Sequence, residues 1–246
     1  MGLQRQSRDS MTCSRDKDCS AGFTMMEAMI GLLILTLITA AIFALLNRVQ
    51  IASASESTKL DLTQEAREFA DQIVRDIHMA GYPKLTMYSP ALPNSNPLVA
   101  AGLVRVSPTE ILLEGDVETL GKVQSVDIQY VPQDPADINC PCIRRSESQK
   151  INADPLAQNP ANQFTQVDHV LPPAQAGEDL FTFFDKNGNP VNVAGGVDIS
   201  TAGGQNTINS IQTVKINLNL FSAAVDPASN KAQHISLSVT GHLNNY

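Results

Sequence analysis

Tryptophan is missing from all 246 residues, and basic side chains are scarce: 17 Lys and Arg stand against 25 Asp and Glu, for a formal net charge of −8. A protein that grips a phosphate backbone needs a basic footprint, so nucleic acid is not an expected partner. The chain has only four cysteines, in two separated pairs, Cys13 with Cys19 and Cys140 with Cys142. That spacing is not the one a zinc site needs, and His78, His169, His234 and His242 do not stand at ligand spacing from any of them. A nucleophile elbow, a phosphate loop and a histidine–carboxylate metal set are all missing. No enzyme activity, catalytic residue, metal or cofactor is therefore expected. No internal repeat is visible either.

What the sequence does have is one long apolar run. From Phe23 to Leu46 there are 24 residues, and Glu27 is the only charged one. As a helix the run would measure about 36 Å, enough for a hydrocarbon core of roughly 30 Å with some tilt. It is longer than the apolar core of an ordinary secretory signal, and no small-residue cleavage site comes after it. Cys19 precedes the run, which argues against a lipoprotein signal. Ahead of it, residues 1–22 carry four basic groups, Arg5, Arg8, Arg15 and Lys17. Lys and Arg near a span hold that end in the cytoplasm, so the expected topology is N-in, with the C-terminal part in the periplasm of a two-membrane bacterium. An ionisable side chain in such a segment costs free energy and points to a function.

Gly22-Phe23-Thr24-Met25-Met26-Glu27, after a short basic leader and at the start of an apolar helix, resembles the processing site of type IV prepilins and type II secretion pseudopilins. The resemblance implies that prepilin peptidase cuts between Gly22 and Phe23 and then N-methylates Phe23. Glu27 becomes the fifth residue of the mature chain, about one helical turn from the new α-amino group. There it can neutralise that amine or pair with the amine of a neighbouring subunit, and a glutamate also suits the positive end of a helix dipole. Pairing between subunits would set axial register in a growing filament. A plain single-span anchor with a chance Gly-Phe is the alternative.

Helical pattern continues beyond the span. Leu62, Ala66, Phe69, Ile73 and Ile77 form one apolar stripe, and Asp71 with Arg75 offers a surface i,i+4 pair. Gly81-Tyr82-Pro83 ends the pattern, which predicts a helix over 23–80 whose second half packs on the downstream domain. Residues 83–97 read as a Pro/Ser/Asn-rich loop. Alternation at Val126-Ile128-Tyr130, Val214-Ile216-Leu218-Leu220 and Ile235-Leu237-Val239-Leu243 predicts antiparallel strands with one buried and one wet face. The fold class expected is α+β, a long helix packed on a C-terminal antiparallel β-sheet. Residues 132–140, 149–179 and 194–207 read as long loops.

Residues 180–193, LFTFFDKNGNPVNV, read as a hairpin turning at Asn187-Gly188. Asp185, Asn187 and Asn189 also offer the first oxygens of a calcium loop. That reading lacks the loop's bidentate glutamate and its sixth-position glycine. Given the expected topology, Cys140-Pro141-Cys142 lies in an oxidising compartment, where a disulfide clamping a loop-to-strand junction is expected. Two free or separately paired thiols are the alternative, and Cys13 and Cys19 would leave with the leader.

EGDVETLGKVQSVDIQYV, CIRRS, LFTFFDKNGNPV, INSIQTVKINLNL and ISLSVTGHLNN resemble, in that order, the blocks of PilW-type minor pilins; His242 departs from the usual pattern near the end. This resemblance implies a type IV pilin-like fold divided as leader 1–22, long helix 23–82 with its transmembrane part 23–46, and β-rich head 83–246. It also implies a subunit that helps initiate and assemble type IV pili. The partners implied are the prepilin peptidase, other minor and major pilins, the inner-membrane assembly platform and membrane lipid. Before assembly the subunit would sit in the inner membrane, and afterwards in the pilus at the cell surface. A GspJ-like pseudopilin of a type II secretion system is the nearest alternative. A membrane-anchored enzyme or receptor with a prepilin-like start is a further one.

Overall fold

The computed structural model describes residues 23–151, 153–158, 160, 163–226 and 229–244. Residues 1–22, with Cys13, Cys19 and Gly22, lie outside the described residues. The elements run α1 (Met25–Met79), β1 (Gly102–Ser107), β2 (Glu110–Gly115), β3 (Gln124–Val131), β4 (Cys142–Gln149) and β5 (Gln163–Val167). They continue with α2 (Pro173–Ala176), β6 (Phe181–Asp185), β7 (Pro190–Val191), β8 (Val197–Asp198), α3 (Ala202–Ser210), β9 (Ile211–Asp226) and β10 (Lys231–His242). The chain divides into two compact units, and the division falls inside α1, between Gln50 and Ile51. The helical residues from Ile51 onward therefore group with the β-rich part.

In the first unit the described residues are helical from Met25 and exposed throughout. In the second unit, Leu62, Ala66, Phe69, Ile73 and Ile77 are all buried, as the stripe predicts. They share one core with Leu113, Ile128, Ile143, Phe183, Ile216 and Leu218 of the sheets. Burying each Ile or Phe side chain stabilises by about 1.5–3 kcal/mol, which is what fixes this helix face. Polar contacts reinforce it: Arg145 Nε donates to Asp76 Oδ2 at 2.9 Å, and the Asp168 amide donates to Glu65 Oε1 at 2.9 Å. No ion pair joins Asp71 to Arg75 among the described residues. Such solvated pairs gain little over hydration, so the side chains are not drawn together.

The helix stops where Gly81 turns with a φ of 77° and its amide donates to Glu114 O. Ala80 bridges to Gly115, and a methyl on Gly115 would overlap the Met79 carbonyl. That close approach locks the end of α1 to the end of β2.

The single sheet expected is in fact two. One has six strands in the order β5-β4-β3-β2-β1-β8, and the other four in the order β10-β9-β6-β7. The two sheets share the core with α1, because each presents one apolar face to it. A strap stitches them: the Val170 amide donates to Pro141 O, Val170 bridges to Leu220, and the Phe221 amide donates to His169 O.

The expected wet face holds for β10 but fails for β3, where Ser125 and Asp127 are buried along with Val126 and Ile128. Ser125 pairs with Glu114, and that end of the polar side is tied to the segment after α1. Lys150 makes the tie, reaching from beside the sheet to Glu114 and to Asn94 O and Val99 O. Two expected loops also carry structure. Residues 149–179 hold β5, paired with β4, together with α2, and 194–207 hold β8 and most of α3. The start of α3 is fixed by Thr201, whose hydroxyl accepts from the Gly204 amide, and its packing by Ile208.

Candidate functional site

The first turn of α1 closes on itself. Glu27 Oε2 accepts from the Thr24 amide at 3.1 Å and from the Thr24 hydroxyl at 3.0 Å, while the Glu27 amide donates to Thr24 Oγ1 at 3.3 Å. This is a capping box, Thr-x-x-Glu, in which two side chains each satisfy the other residue's amide. The Thr-x-x-Glu spacing is a signal in the sequence that the charge of Glu27 alone does not convey. Phe23 is 83% exposed and stands one residue ahead of the box. Beyond it α1 is long and apolar enough to cross a membrane, by length and composition.

Cys140 and Cys142 are joined by a disulfide at the loop-to-strand junction where β4 begins. Arg144, two residues on, holds the same loop. Its Nη2 lies 2.5 Å from Asp134 Oδ2 and 3.4 Å from Asp137 Oδ2. Thr165 on β5 donates to Asp137 Oδ2 at 3.0 Å. The Asn139 amide, then Thr165 and Arg144, hold the Asp137 carboxyl below its usual range; the Ala136 amide and Arg144 do the same for Asp134. Asp137, Cys140 and Cys142 sit close enough to suggest a metal. The chemistry argues otherwise, because the disulfide removes both thiolates and the Asp137 oxygen already accepts several donors.

The β6–β7 hairpin turns at Asn187-Gly188, as its sequence predicts. Asp185 Oδ1 accepts from the Asn187 and Asn189 amides, both at 2.8 Å, and Oδ2 accepts from Asn189 Nδ2 at 3.1 Å. The Asn189 donors lower the Asp185 carboxyl most. Both oxygens stabilise the turn, so the calcium reading loses its leading ligand.

Two buried charge clusters have no counterpart in the sequence pattern. Lys150 and Glu114 pair at 2.5 Å with both side chains fully buried. Arg145 bridges Asp76 of α1 to Glu147 of its own strand, with the Glu147 contact at 2.6 Å. Burial pushes the carboxyls of Glu114 and Asp76 up, against the pull of their cations. Each cluster joins the six-stranded sheet to another element, so each has a structural role. A pocket of about 310 Å3 opens between the end of α1 and the start of β1, lined by Gly81, Leu85, Thr86, Ala100, Ala101 and Asn209 of α3, with Lys84 as its single charge.

No family model matches the chain, and neither a curated protein nor a solved structure matches it.

Proposed function

We propose that the chain is a minor pilin of the PilW type, made as a prepilin, anchored in the inner membrane with its head in the periplasm, and incorporated into the priming or tip complex of type IV pili. The observation that carries this reading is the junction Gly22-Phe23 ahead of a capped helix whose apolar run, as far as Leu46, has Glu27 as its only charge. The α+β layout supports it, since the amphipathic part of that helix packs on antiparallel sheets and buries its stripe. In this reading the peptidase frees an amine at Phe23, one turn from Glu27. The carboxylate then has a choice of donors, Thr24 of its own chain or the amine of its own or a neighbouring subunit. In low dielectric that exchange favours ordered neighbours, although desolvation offsets part of the gain.

Intact mass of the chain recovered from envelopes and sheared pili tests the proposal. The expected species begins at Phe23 and carries one added methyl group, and Gly22→Leu should leave the full-length chain in the membrane. A full-length mass in the wild type would overturn the reading.

A further inference from the structure

Residues 132–141 form a loop with many restraints and little to bury. The Cys140–Cys142 disulfide, the Arg144 contacts to Asp134 and Asp137, and the Thr165 hydrogen bond all fix it. The Asp134 and Asp137 side chains also accept from the Ala136 and Asn139 amides. Yet Ile138 at its tip is 95% exposed, the most exposed large apolar side chain among the described residues. A tip already held in one conformation loses little entropy when bound, which is how a preformed anchor gains affinity.

The strand register places a complementary feature at the far end of the same sheet. Val131 pairs with Cys142 and Glu110 with Gln129, so the loop sits at the end of the β1–β2 turn. Gly115 pairs with Gln124 and Gly102 with Glu114 at the opposite end, where the pocket between Leu85, Ala100 and Ala101 opens. Lys84 lines that pocket and has no ion-pair partner among the described residues. The loop's two carboxylates outnumber its one guanidinium, so its charge is opposite to the pocket's.

We propose that Ile138 of one copy of this chain seats in the Leu85–Ala100–Ala101 pocket of the next copy, with Lys84 of the pocket facing the Asp134/Asp137 side of the loop. Knob and socket lie at different ends of one sheet, so the contact is head-to-tail and leaves a free knob and a free socket on every pair. The interface goes beyond pilin processing and does not depend on removal of the leader.

The test uses the full chain in detergent, with a photo-crosslinking amino acid in place of Ile138, mixed with isotope-labelled chain lacking the probe. Mass spectrometry of mixed-label peptide pairs should map the adducts to 81–86, 100–101 or Asn209. Thr86→Trp, an exposed substitution that blocks the pocket, and Lys84→Glu should each cut the yield by about tenfold or more, while the melting temperature stays at the wild-type value. Absence of mixed-label pairs, or their mapping elsewhere, for example to a second residue 138 or to the apolar run, would overturn the proposal.

Discussion

Asp127 stands on a strand whose alternating sequence suggests a wet side, yet it is buried with one carboxyl oxygen unpartnered. Burial, then the nearby Glu110 charge, lifts its carboxyl from 3.8 to about 6, with Arg105 pulling the other way. A raised folded-state value means that the folded protein prefers the protonated form. The stability this confers is complete below about pH 4 and is lost as pH rises through about 6, a difference on the order of 3 kcal/mol. Asp127→Asn should therefore be as stable as wild type near pH 4 and more stable at pH 7.5. Chemical unfolding midpoints of the solubilised chain at the two pH values would show it, and an equal wild-type advantage at both would contradict it. The period-2 pattern identifies the strand and its polar side. It carries no sign that the polar side is covered, because cover comes from distant segments without a periodicity of their own.

One such segment, residues 83–101, is held to the sheet largely through Lys150. Its ammonium donates to Asn94 O at 2.5 Å, to Val99 O at 2.9 Å and to Glu114 Oε2 at 2.5 Å. Lys150→Met would strand a buried carboxylate and free two carbonyls, a loss of about 3–5 kcal/mol. Limited proteolysis should then cut first within 83–101, while cleavage elsewhere at the same rate would deny the segment this anchor. Elements differed in how much of them the sequence showed. The stripe of α1 was legible because five apolar residues repeat at helical spacing and every one is buried. By contrast α3 was hidden, since AGGQNTINS contains two glycines and buries only Ile208. Its N-cap and its contact with the core, not its propensity, make it helical. The buried pairs Lys150–Glu114 and Arg145–Asp76 were equally hidden, because partners so far apart in sequence leave no local trace.

For the whole molecule, the stretch apolar enough to cross a membrane and the stretch that packs on the sheets are different parts of one helix, with the units parting at Gln50/Ile51. A change at Glu27 should therefore leave the β-rich unit intact. On the proposed function, Glu27→Ala is expected to give a chain that is still processed and whose head resists protease as wild type does, but that is depleted from pili. Immunoblots of sheared filaments against membrane fractions would measure this, and wild-type incorporation would remove the charge from assembly. The apolar run, the glutamate and the hairpin could be read from sequence, whereas the division into two sheets could not. The strap through His169 and Val170, with the Phe181 amide donating to Pro108 O, shows how the second sheet is tied on.

Thr24 and Glu27 also bear on which part of the chain is dispensable. Each satisfies the other's amide, and neither partner comes from residues 1–22. The helix thus carries its own beginning, just downstream of the Gly22-Phe23 bond. Severing that bond orphans neither of the two amides that the box satisfies. In the proposed processing, the cap that starts the helix therefore stays whole with the chain that begins at Phe23.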